Sequence, residues 1–136
     1  MTAAPQSSAE ESASPRRVLL VDDNEANLMV AEAQLTFMGY EVDIARNGQQ
    51  AIDQFSSSAH DAVLMDIQMP VMDGFEASSH MREVLCDTTT PIIAVSAGAA
   101  AVNATAAEEH GMNGFVQKPV DWGLLRAMLE ETFDQS

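Results

Sequence analysis

Residues 17–23 read RVLLVDD. A short, unbroken apolar run marks a strand buried on both faces. Residues 25–38 follow with Leu28, Ala31, Leu35 and Met38 at helical spacing, and Gly39 stands where a helix C-terminus favours glycine. The same alternation continues through the chain. EVDIA (41–45) predicts a second strand, and Asn47 can cap a helix over 48–56 with Ala51, Ile52 and Phe55 inward. AVLMD (62–66) predicts a third strand. The loop IQMPVMDG (67–74), with Pro70 and Gly74, leads into a helix from about 75 to 85. PIIAVS (91–96) predicts a fourth strand, an Ala-rich stretch over about 101–110 a weaker helix, and GFVQ (114–117) a fifth strand. Asp121 can cap a last helix running to about 133. Strands alternating with helices imply an α/β fold, a parallel sheet wrapped on both faces with right-handed crossovers. In such sheets ligands bind beyond the carboxyl ends of the strands.

Composition narrows the function. The chain has 136 residues, 46% of them hydrophobic, which suits one globular domain with a substantial core. It carries 21 Asp+Glu against 6 Lys+Arg, a net charge of -15. Glu10 and Glu11 balance Arg16 and Arg17, so the excess lies beyond residue 17, where Arg46, Arg82, Lys118 and Arg126 are the only cations. Direct nucleic-acid binding and docking on an anionic membrane both need clustered cations and are not expected. One cysteine, Cys86, excludes an internal disulfide and suits a reducing, cytoplasmic compartment. No apolar run approaches the roughly 18 residues of a membrane span, and the N-terminus lacks the apolar stretch of a secretory signal. Residues 1–16, rich in Ala, Ser, Pro and Glu, read as a disordered tail, with the folded domain over 17–136.

The predicted strand ends carry the chemistry. Strand one ends in Asp22-Asp23, strand three in Asp66, strand four in Ser96, and strand five is followed by Lys118-Pro119. Three neighbouring carboxylates repel unless a cation joins them. Lys118, the only lysine in the chain, cannot balance three acids, whereas a divalent metal can. Oxygen ligands without Cys or His favour a hard ion such as Mg²⁺. A metal, a lysine and a hydroxyl together suit a phosphoryl group, and a spare carboxylate can act as nucleophile and become an aspartyl phosphate.

VLLVDDNEAN, DAVLMDIQMPVMDGFEA, PIIAVSA and GFVQKPV, in that order, resemble the response-regulator receiver domain of two-component signalling. The resemblance covers residues 17–133. It implies a flavodoxin-like three-layer sandwich with strand order 2-1-3-4-5. It further implies Asp66 as phosphoacceptor, Asp23 as direct Mg²⁺ ligand and Asp22 as a ligand through water. Gln68 would give its backbone carbonyl to the metal. Lys118 would bind phosphate together with the Ala97 backbone, and Ser96 would be the switch hydroxyl. Phe115 would be the switch aromatic, lacking the hydroxyl of the tyrosine often found there. Pro119 would follow a cis bond. The implied partner is a histidine kinase or histidine phosphotransfer protein, with a downstream signalling protein as a further candidate. A bacterial, monomeric chain is expected. The DIQMPVMDG wording resembles receivers attached to hybrid histidine kinases, and no effector sequence follows the last helix. Output is therefore expected through binding or onward relay, from a stand-alone chain or an excised kinase module.

Other readings fare worse. A haloacid-dehalogenase-type phosphatase would need an acid where Gln68 stands, and no G-x-G-x-x-G or G-x-x-x-x-G-K-[ST] loop is present. An interaction module that is never phosphorylated leaves the full acid–lysine–hydroxyl set unexplained. His60, His80 and His110 lack zinc-like spacing. Met65, Met81 and Met128 read as core filler. Trp122 suits either local packing or a partner contact, and Cys86 reads as a bystander.

Overall fold

The computed structural model describes residues 15–57, 59–67, 73–87, 89–96 and 100–134. Five strands, β1 (Arg17–Val21), β2 (Glu41–Ala45), β3 (Ala62–Asp66), β4 (Ile92–Ser96) and β5 (Gly114–Gln117), alternate with five helices. The helices are α1 (Glu25–Phe37), α2 (Gly48–Ser57), α3 (Gly74–Glu83), α4 (Ala100–Glu109) and α5 (Trp122–Asp134). All strand pairs are parallel and the order is β2-β1-β3-β4-β5. This is the expected flavodoxin-like sandwich. The order places β1 and β3, which end in acids, side by side, with β4 and then β5 next.

Local chemistry sets the boundaries. The Asn24 side chain accepts from the Asn27 amide at 3.0 Å and starts α1. Asn47 and Asp121 do the same for α2 and α5, accepting from Gln50 at 2.8 Å and Leu124 at 3.1 Å. Asp73 and Glu76 form a reciprocal capping box on α3, satisfying two amide donors at once. Gly39 closes α1 at φ +96°, a conformation that costs an L side chain strain.

The sheet divides the core in two. Leu19, Val21, Val63, Met65, Ile92 and Ala94 face one way and pack with Ala51, Ala77 and Met81. Val18, Leu20, Leu64, Ile93 and Val116 face the other way and pack with Leu28, Leu35, Leu125 and Leu129. Trp122 is half-buried against this second cluster, together with Met128.

The amino ends of the strands hold an ionic network. Arg17 reaches Asp43 with 3.1 Å contacts and Glu41 at 2.8 Å, and His60, whose side chain is wholly buried, meets Asp43 through Nε2 at 2.8 Å. Arg16, read from sequence as the end of the tail, belongs to the fold here. Its carbonyl accepts from Glu41, its guanidinium lies 4.9 Å from the Phe133 ring centroid, and it pairs with Asp61 at 3.6 Å. The rest of the expected tail, residues 1–14, lies outside the described residues.

Burial pushes the Asp43 carboxyl up, but hydrogen bonds from His60 and Arg17 and the charge of Arg17 outweigh it and hold it below the usual carboxylate range. A depressed folded value means stability that is present above the unfolded value near ~4 and lost as pH falls through the folded one. Asp43→Asn is therefore expected to cost about 1–2 kcal/mol at neutral pH. Its deficit against the wild type should shrink on acidification toward pH ~3. Denaturant melts at several pH values read this out.

Candidate functional site

The parallel order brings the polar strand ends to one edge. Asp22 and Asp23 follow β1, Asp66 closes β3, Ser96 closes β4, and Lys118 follows β5. Asp22, Asp66 and Ser96 are buried, while Asp23 is exposed. One carboxylate oxygen from each of Asp22, Asp23 and Asp66 lies within 4.8 Å of the others. Lys118 Nζ stands 3.4 Å from Asp66 Oδ2 and 3.6 Å from Asp22 Oδ2. One ammonium is thus shared between two buried acids while a third remains close by. That leaves an excess negative charge which a divalent cation would neutralise. The oxygen-only donor set fits a hard ion such as Mg²⁺.

The backbone holds these groups in place. The Asp22 amide donates to the Ala45 carbonyl at 3.1 Å, tying the end of β1 to the end of β2. Asp22 Oδ1 accepts from the Asn24 amide at 2.9 Å, which orients the carboxylate where the chain turns into α1. The Lys118 amide donates to the Ser96 carbonyl at 2.8 Å, extending the β4–β5 ladder one residue into the site. The Lys118-Pro119 bond is cis. Phe115 is half-buried and packs against the Val21, Met65 and Ala94 cluster. Beside Lys118 a cavity of 570 Å³ opens between α1 and α5, lined by Val30, Ala31, Leu64, Trp122 and Leu125 and reaching Asp22 and Asp66.

Asp22, Asp23, Asp66 and Lys118 are therefore brought together, and Ser96 sits on the adjoining strand end. Gln68 and Ala97 lie outside the described residues. The histidines stand apart. His60 is at the amino ends of the strands, and His110 stacks on Phe75 at 5.0 Å and meets Ser79 at 2.8 Å.

Gly74, read from sequence only as a loop residue before α3, has a supporting role that the sequence did not show. A Cβ at Gly74 would stand 2.5 Å from the Asp66 carbonyl oxygen and 2.9 Å from Ile67 Cα. The Gly74 amide also donates to the Ile67 carbonyl at 3.0 Å. The first residue of α3 therefore rests on the backbone at the end of β3. The signal was a glycine directly after a capping Asp, but only the folded contact shows what it accommodates.

Comparison with known proteins agrees with the fold. The sequence profile described as "Response regulator receiver domain" matches residues 18–130. Histidine kinase 5 of Arabidopsis thaliana is 34% identical over 152 residues, a region covering 93% of this chain but 16% of that protein. The chain thus spans a small part of the curated relatives it matches. The receiver domain of the sensor histidine kinase PA1611 of Pseudomonas aeruginosa, solved with a magnesium ion coordinated in its active-site cleft, superposes with a TM-score of 0.80. It is 34% identical, over 87% of this chain and 97% of that one. The complex of Saccharomyces cerevisiae Ypd1, a histidine phosphotransfer protein, with the receiver domain of Ssk1 gives a TM-score of 0.81 at 25% identity, over 86% and 88% of the chains. These relatives come from a plant, a bacterium and a yeast, so the match is no guide to a bacterial source. No helix among the described residues is long and apolar enough to cross a membrane. A family match over residues 18–130, on a parallel sheet of order β2-β1-β3-β4-β5, makes this chain a member of the response regulator receiver domain family.

Proposed function

We propose that this receiver accepts a phosphoryl group from a phosphohistidine onto the Asp66 carboxylate and signals through the conformational change that follows. The observation that carries the reading is the position of Lys118 Nζ, the chain's only ammonium side chain, between Asp66 and Asp22 at the carboxyl edge of the sheet. Asp66 is the acid best placed to react, because it ends a central strand and faces the lysine. An Asp66 oxygen attacks phosphorus as the bond from phosphorus to the imidazole nitrogen breaks, and the electron pair stays on the ring. The Lys118 ammonium turns from the carboxylates to the phosphoryl oxygens. The Ser96 hydroxyl donates to the same oxygens, and Phe115 on β5 moves into the space the hydroxyl leaves. A local charge change is thereby converted into a two-state repacking of the β4–β5 side.

Asp23 and Asp66 would hold Mg²⁺ directly and Asp22 through water, with the backbone carbonyl of Gln68 as a further donor. Bound there, the ion neutralises charge on the carboxylates and on the moving phosphoryl group. The Ypd1–Ssk1 complex and the kinase relatives support a histidine kinase or phosphotransfer protein as donor. The chain catalyses its own phosphorylation and turns over no separate substrate.

The test is transfer of label from a phosphorylated histidine phosphotransfer protein. Uptake should be stoichiometric with Mg²⁺ and fall by about a hundredfold or more with a chelator. Equal uptake with and without the chelator would contradict the reading. Mg²⁺ alone should also raise the melting temperature, corresponding to about 2.7 kcal/mol at a hundred times its Kd. Asp23 is exposed, so Asp23→Asn should fold normally and lose most of that rise.

A further inference from the structure

Five of the six cations are committed by the fold. Arg16 and Arg17 pair at the amino ends of the strands. Arg82 bonds the Gly111 carbonyl and Asn113, Arg126 pairs with Glu130 along α5, and Lys118 serves the acid site. Arg46 differs. It is the one arginine in a loop at the carboxyl edge, directly after Ala45, whose carbonyl holds the Asp22 amide. Its guanidinium grips Glu25 with two hydrogen bonds, from Nε to Oε1 and from a terminal nitrogen to Oε2 at 3.4 Å. Glu25 opens α1 two residues after Asp23, so their backbones lie within about 7 Å.

We infer that the Glu25–Arg46 pair sets the affinity of the acid site for its divalent cation, Arg46 masking the charge of Glu25. The inference rests on the proposed Mg²⁺ reading of that site. The three carboxylates and Lys118 sum to an excess of negative charge; Glu25 is the next charge along the chain from Asp23, and Arg46 follows β2 at the same sheet edge. They cancel while paired. Either one alone would act on a doubly charged ion within about a Debye length. The pair is exposed on both sides, with side chains 52% and 63% accessible. It contributes little to folding, so variants of either residue retain the fold and report on the site.

The sign of the effect separates this role from a scaffolding one. If the bridge merely braced the turn that carries Asp22 and Asp23, breaking it from either side would weaken metal binding. If it acts through charge, the two sides act in opposite directions. Mg²⁺ titrations of the chain, followed by the melting temperature, test this with Glu25→Gln, Arg46→Gln and the double variant. At low ionic strength Arg46→Gln should bind about threefold tighter and Glu25→Gln about threefold weaker. The double variant should return close to wild type. The differences should shrink in about 0.5 M KCl. Weakening in both single variants, or no shift in either, overturns the inference. Asp23→Asn keeps its failure distinct from that of the site reading. If wild type binds, Asp23→Asn does not, and the bridge variants are silent, only the inference falls. If wild type does not respond to millimolar Mg²⁺, both fall.

Discussion

Asp66→Asn is expected to abolish stable phosphoryl uptake, lowering label from a phosphohistidine donor by about a thousandfold or more. The substitution keeps the shape of the side chain and removes the anionic oxygen that would bond to phosphorus. It also removes one of three carboxylates held within 4.8 Å of one another, so like-charge repulsion in the metal-free state falls. The variant should therefore melt no lower than wild type without Mg²⁺. Its melting temperature should rise less when Mg²⁺ is added, since one donor is gone. Loss of uptake in a chain at least as stable as wild type is a chemical loss rather than an unfolding one. Uptake near the wild-type level would move the acceptor elsewhere.

Gly74→Ala is expected to have the largest effect on the fold. The added Cβ meets the Asp66 carbonyl oxygen at 2.5 Å, Ile67 Cα at 2.9 Å and Met65 Cγ at 2.9 Å. Two of these neighbours are backbone, so no rotamer change relieves the clash, and α3 or the end of β3 must move. Overpacking of this kind costs about 3 kcal/mol or more, a large part of the ~5–15 kcal/mol that holds a domain together. The melting temperature should fall by roughly 10 °C. Because the displaced backbone is that of Asp66, uptake measured well below the melting point should also fall, by about a hundredfold for a shift near 1 Å. Gly39→Ala is the control. Gly39 has φ +96° but nothing within 4 Å of a Cβ, so it should cost about 1 kcal/mol of strain and leave uptake unchanged.

The strands were legible because each is a short apolar run ending in polar residues. RVLLV, EVDIA, AVLMD and GFVQ coincide with the strands observed, and the fourth strand starts one residue after Pro91, whose missing N–H suits a strand's first flank. The helix ends shift by a residue or two, as cap residues compete with the first turn. Asn47 and Asp121 act as the caps expected of them. The acid–lysine cluster was also legible, since parallel topology alone brings strand ends together. Contacts between residues far apart in sequence with no shared pattern were not. His60 and Asp43 meet across the starts of two strands, Arg46 meets Glu25 across a strand and a helix, and Arg82 on α3 bonds the Gly111 carbonyl after α4. Arg82 and Gly111 lie on the same face of the sheet, separated in sequence by β4 and α4. Nothing in the local sequence of either partner marks these pairs, because each needs the tertiary fold before its charge or hydrogen bond has a target. The close approach at Gly74 is of the same kind.

The central claim is that the phosphoryl group resides on the Asp66 carboxylate. Borohydride reduces an aspartyl phosphate to homoserine, so the most direct measurement is peptide mass spectrometry of the chain, phosphorylated in Mg²⁺ and then reduced. Homoserine at position 66, absent when the donor or Mg²⁺ is withheld, is the predicted result. Reduction at Asp22 or Asp23, or label retained on a histidine with residue 66 unchanged, would contradict the account.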